Sequence, residues 1–142
     1  MRRYLLDTTV LAAYLLARPG AVQLVSPWLT PFSVATSILC YGEVVEYLRS
    51  LADYASRLIQ LQELLSDLYP YFLTYPILER YADIRRELRA KGQLIGDVDT
   101  LIAATALEHD LTVVTTDAHD FQRVPGLSVV ATTSQQLRHG QP

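Results

Sequence analysis

The chain has 142 residues, half of them hydrophobic, which suits one domain with a proper core and leaves little room for a second. A formal net charge of −3 argues against a general polyanion-binding protein, which would be basic, and no apolar run is long and uninterrupted enough to span a bilayer. The lone cysteine, Cys40, excludes an internal disulfide and any metal site built on cysteine spacing, and in the run SILCYG it reads as a small buried thiol.

Tyr4 to Leu6 is a short apolar run ending at Asp7, as a buried strand would be. The Arg2-Arg3 pair before it resembles the start of a signal peptide, but Asp7 interrupts the apolar part at once and no small-residue cleavage pattern follows. A cytoplasmic protein with no membrane partner is therefore expected. TTVLAAYLLA reads as a helix stopped by Arg18-Pro19-Gly20, and AVQLVSPWL as a second short helix. FSVAT reads as a strand, after which Thr36 or Ser37 caps a helix through Val44 and Leu48. Leu51 to Leu68 is amphipathic, Phe72 to Tyr75 is expected as a brief strand, and Pro76 opens a helix closed by Gly92. Asp97 then leads into VDTLIAATALEH. Leu111 to Thr115 and Leu127 to Ala131 read as the last strands. The alternation predicts an α/β fold with a mainly parallel central sheet flanked by helices, over residues 1–132, followed by a frayed polar tail at 133–142.

The acids fall at related places in this scheme. Asp7 follows the first strand, Asp117 follows LTVVT after one Thr, and Asp99 lies in the first turn of a helix. Ligands of open parallel sheets bind beyond the carboxyl ends of the strands, and Glu43, one to two turns into its helix, reaches the same edge. Each acid also has an ordinary structural explanation. Asp7 and Asp97 fit as helix N-caps, Asp99 suits a helix N-terminus, and Asp117 and Asp120 suit turns. Converged, they would repel: a like-charge pair about 4 Å apart costs roughly 4 kcal/mol at an effective dielectric near 20. A cation would relieve that, and all-oxygen ligation suits Mg²⁺ or Mn²⁺. The chemistry such a site predicts is phosphodiester hydrolysis.

These motifs resemble the PIN-domain family, and within it the VapC-type toxins of toxin–antitoxin pairs. YLLDTTVL is similar to the family's opening strand and first acid, Ser37 to Glu46 to its second acid on a helix, and the stretch from IRRELRAKG through DVDTLIAATALEHDLTVVTTDAHDFQRVPGL to its C-terminal half. The resemblance implies a single PIN-like domain and a Mg²⁺-dependent endoribonuclease (Mn²⁺ substituting) that cuts RNA. It also implies a homodimer restrained by a VapB-like antitoxin. It carries the catalytic acids onto Asp7, Glu43, Asp99 and Asp117, with Asp7, Asp99 and Asp117 holding metal. Asp97, Asp120, Thr9 and Thr115 become auxiliary. Relatives often have Asn at the position of Asp117 and an acid at that of Asp120, so either of the two completes the site. Thr9 stands where the family usually has Asn or Ser, and the family's common Trp-containing ending is absent, so the tail after Val130 is outside the resemblance.

Of twelve basic residues, eleven are arginine. Arg85 and Arg89 share a helix face and are candidates to hold RNA phosphates; the other reading is that they pair with Asp83 and Glu87 along an exposed helix. His119 lies between two acids as a candidate base, although a metal-bound water needs none. Tyr69, Tyr71, Phe72 and Tyr75 suit a core, a dimer contact or an antitoxin groove better than base stacking. Two rivals remain: a PIN-fold protein-binding module without significant nuclease activity, and a phosphoaspartate domain acting through Asp7. Against the second stands Thr9, where a phosphatase would have its second Asp.

Overall fold

In the computed structural model, which describes residues 1–140, five strands form: β1 (Tyr4–Leu6), β2 (Val34–Ser37), β3 (Tyr69–Tyr71), β4 (Thr112–Thr115) and β5 (Val129–Ala131). They make one sheet in the order β3-β2-β1-β4-β5, and every neighbouring pair is parallel. Parallel strands need crossovers, and the helices supply them: α1 (Thr8–Leu15), α2 (Pro19–Leu29), α3 (Ile38–Leu48), α4 (Tyr54–Leu64), α5 (Tyr75–Ala90), α6 (Asp97–Glu108), α7 (Ala118–Phe121) and α8 (Ser134–His139). The central strands are buried and the edge strands half exposed. Leu5, Leu6, Ala35, Val113 and Val114 have no exposed surface, and neither do Val10, Leu11, Val44, Leu48, Leu88 and Ile102 from the helices. That pattern explains why the inner strands read as continuous apolar runs rather than alternating ones.

The expected elements appear with four differences. The strand expected over Phe72 to Tyr75 lies at Tyr69–Tyr71 instead. Thr74 is already the N-cap of α5, its hydroxyl accepting from the Ile77 N–H, with Pro76 in the first turn, so the chain must leave the sheet sooner. Asp97 does not cap α6; Gly96 occupies that position and Asp97 is the first helical residue. Helix α7, four residues long, has no counterpart in the sequence reading.

The fourth difference is the tail. Residues 134–139 fold as α8, opened by a capping box in which the Thr133 hydroxyl accepts from the Gln136 N–H and the Gln136 side chain accepts from the Thr133 N–H. Leu137 is buried. The last two residues of the expected tail, 141 and 142, lie outside the described residues. Helix α8 lies against α2 at Gly20, where an added Cβ would stand 1.7 Å from the Gln136 carbonyl oxygen. Only a residue without a side chain permits that approach.

Among the described residues no single helix is long and apolar enough to cross a membrane. Helices α1 and α2 together have the length and composition, but they are bent by 99° and place Val10, Leu11, Ala21 and Val25 in the core.

Candidate metal centre

Because the strands are parallel, their carboxyl ends share one edge, and the helices that follow them begin there. Asp7 leaves β1 directly and caps α1, while Asp117 follows β4 by two residues and precedes α7. Asp99 stands in the first turn of α6, Asp120 in α7, and Glu43 in the second turn of α3. The sheet topology therefore gathers five carboxylates from four helix starts.

Asp7 is buried, and both its oxygens are engaged. Oδ1 accepts from the Thr8 N–H at 2.8 Å, and Oδ2 accepts from the Thr115 hydroxyl at 2.7 Å. The same Thr115 oxygen accepts from the Asp117 N–H at 2.9 Å, so one buried hydroxyl ties the acid after β1 to the loop after β4. Thr8 also donates its hydroxyl to Glu43 Oε1. Burial raises the Asp7 carboxyl above its ordinary value; the bonds from Thr115 and Thr8 oppose this, and the charges of Glu43 and Asp117 add to it.

Asp99, Asp117 and Asp120 form one group, each offering an oxygen within 4.8 Å of the others. Asp99 is pushed up to about 6, first by burial and then by the charges of Asp7, Asp117, Asp120 and Glu43. Asp117 is raised by desolvation and by Asp120 beside it. The site thus holds its carboxylates together against their own repulsion. All the donors are hard oxygens, a set that fits a divalent cation such as Mg²⁺.

The remaining residues singled out in the sequence divide clearly. Thr115 is at the heart of the site, as described. Thr9 is exposed, and among the described residues no hydrogen bond links it to an acid; Thr8, which sequence reasoning passed over, makes those contacts. Asp97 points elsewhere: it pairs with Arg85 and accepts from the Tyr81 hydroxyl at 3.2 Å, pinning α6 to α5. Arg85 is therefore committed to Asp97, rather than to the Asp83 or Glu87 considered from spacing, while Arg89 is exposed. His119 lies 3.4 Å from Arg123, whose guanidinium also approaches Asp120 at 4.0 Å. Tyr69, Phe72 and Tyr75 are exposed, and Tyr71 stacks on His109. Cys40 is fully buried, and burial, with the charge of Asp7 adding to it, pushes its thiol up to about 12.

A family model described as PIN domain matches residues 4–127. The chain belongs to the PIN domain family. Among curated proteins, this PIN domain is 43% identical over 47 residues to Ribonuclease VapC2 of Rickettsia felis, a stretch covering 33% of the chain and 35% of that relative. It is 40% identical over 55 residues to Ribonuclease VapC1 of the same organism, covering 39% and 41%. The matched stretches thus span well under half the length of these relatives. In three dimensions the PIN domain resembles VapBC2 from Rickettsia felis bound to a promoter DNA fragment, with a TM-score of 0.80 at 24% identity over 91% of this chain and 98% of that one. It resembles DNA-bound VapBC from Salmonella typhimurium at 0.82, with 22% identity over 92% and 98%. FitAcB from Neisseria gonorrhoeae gives 0.73 at 25% identity over 89% and 95%. The α/β fold with a mainly parallel central sheet expected from the sequence is the PIN fold, here with five strands all parallel.

Proposed function

We propose that this PIN domain is a metal-dependent endoribonuclease, the toxin of a VapBC-type toxin–antitoxin pair, using Mg²⁺ with Mn²⁺ as a substitute. The observation that carries the reading is the convergence of Asp99, Asp117 and Asp120 within 4.8 Å, beside a buried Asp7, at the carboxyl edge of the sheet. Asp7, Asp99 and Asp117 would hold the ion, with Asp120 near enough to Asp99 and Asp117 to share in it; each engaged Asp7 oxygen still has a lone pair to offer. When bound, a divalent cation supplies Lewis-acid polarisation of a phosphodiester and lowers the pKa of an attacking water. The chain's own groups do the rest. Thr115 and Thr8 orient Asp7, and Thr8 also fixes Glu43 at the rim, where its carboxylate can position a water. Asp97 acts at a distance by setting the start of α6.

The toxin role draws on the relatives: two are named ribonucleases VapC, and several similar folds come from VapBC complexes. On that basis the partners are an RNA substrate, a VapB-like antitoxin and a second copy of the chain, in the cytoplasm. The test is titration calorimetry with Mn²⁺ alongside cleavage of a labelled RNA oligonucleotide. Saturable Mn²⁺ binding and cleavage stopped by excess EDTA are expected. An absence of acid-dependent Mn²⁺ binding would turn the reading to a protein-binding module, and cleavage that persists in EDTA would remove the metal from the mechanism.

A further inference from the structure

An acidic edge repels the RNA it is meant to cut, so the strand needs cationic anchors nearby. Arg85 is occupied by Asp97, as Arg57, Arg80 and Arg123 are by other acids. Two other arginines are placed differently. A hollow of about 140 Å³ between α1, the turn into α2, and α8 is lined by Thr9, Ala13, Arg18, Ser134, Leu137 and Arg138. Arg18 and Arg138 are exposed, and among the described residues neither pairs with an acid. Thr9 and Ser134 bring two hydroxyls to the same hollow.

The hollow and the metal centre share helix α1, with Asp7 capping its start and Arg18 lying beyond its far end. Thr9 lies in the first turn of α1, the helix that Asp7 caps. On the other side, the Thr132 N–H donates to the Thr115 carbonyl, and the Thr115 hydroxyl holds Asp7. The buried Leu137 and the capping box fix α8, so Arg138 projects from an ordered helix. Two guanidinium groups and two hydroxyls with no carboxylate among the lining residues make a site for a tetrahedral oxyanion, which arginine binds through directed, paired N–H donors.

We propose that Arg18 and Arg138 hold a backbone phosphate of the RNA strand away from the scissile one, where the strand leaves the acidic edge. The proposal rests on the nuclease reading for the identity of the strand. The hollow depends on α8, so the segment with no expected structure supplies half of the anchor.

The test is anisotropy of a labelled single-stranded RNA oligonucleotide on the purified protein in EDTA, over a range of salt. For the Arg18→Ala/Arg138→Ala double variant, the expected result is a Kd raised roughly tenfold and a slope of log K against log salt that is shallower by about 0.7 per phosphate no longer neutralised. Arg18→Lys/Arg138→Lys recovers part of the affinity. Arg49→Ala/Arg86→Ala, an equal reduction of charge elsewhere, leaves the slope unchanged. In cleavage assays with Mg²⁺, the double alanine variant raises KM and keeps kcat. Wild-type affinity and slope in that variant, equal weakening by the control pair, or no RNA binding by the wild type would each overturn the proposal. The two readings separate cleanly. Arginine-dependent RNA binding without cleavage sinks the nuclease reading alone, whereas metal-dependent cleavage with an unchanged KM sinks the phosphate site alone.

Discussion

Thr115 is the residue on which the site's geometry turns, because one hydroxyl donates to Asp7 Oδ2 and accepts from the Asp117 N–H. Thr115→Val keeps the shape and removes both bonds, leaving a buried carboxylate short of a donor. Urea unfolding should show a loss of about 1–3 kcal/mol, and Mg²⁺-stimulated cleavage should fall with it; Thr115→Ser should restore most of both. A stable, fully active Thr115→Val protein would mean that Asp7 needs no such support. Asp99 gives a second prediction. Its carboxyl, at about 6, holds a proton more tightly in the folded chain than in the unfolded one. That contribution is complete below the ordinary carboxylate range and is lost as pH rises through about 6. The metal-free protein should therefore gain stability on acidification from pH 7 to 5. The group is half-buried, so the gain is about 1 kcal/mol, a few degrees in melting temperature. Saturating Mg²⁺ should flatten the profile, and scanning calorimetry at several pH values checks both. At this scale the acids themselves were legible, since each follows a strand or opens a helix. The choice between Thr8 and Thr9 was not: neighbouring helical residues point about 100° apart, and only the placement of Glu43 decides which one faces the site.

At the level of elements, the regular helices and inner strands were readable because their apolar spacing is strong. Helix α7 escaped because four residues are too few to show a period. Helix α8 escaped because it buries one apolar residue, Leu137, and its stability comes from a capping box and from packing on α2. That packing yields a third prediction. Gly20→Ala places a methyl group 1.7 Å from the Gln136 carbonyl, a backbone atom that cannot swing aside. The variant should lose roughly 1–3 kcal/mol in thermal or urea unfolding and expose α8 to proteolysis. Unchanged stability would show that α8 is not seated as described.

For the molecule as a whole, function follows from topology. Five parallel strands in the order β3-β2-β1-β4-β5 turn separate positions in the chain into one edge, and the acids need no proximity in sequence to meet there. The alternation of elements made that edge foreseeable. The sequence favoured Asp7, Asp99 and Asp117 as ligands; the structure groups oxygens of Asp99, Asp117 and Asp120 within 4.8 Å and puts Asp7 near enough for its charge to act on Asp99. Asp7 accepts from Thr8 and Thr115, and α7 carries Asp120. Asp99 belongs to both groupings, so it is the residue to remove. The most direct measurement is cleavage of a labelled RNA by wild type and Asp99→Asn, each with Mg²⁺ and with excess EDTA. Cleavage should occur only for the wild type with Mg²⁺. Undiminished cleavage by Asp99→Asn, or by the wild type in EDTA, would contradict the account.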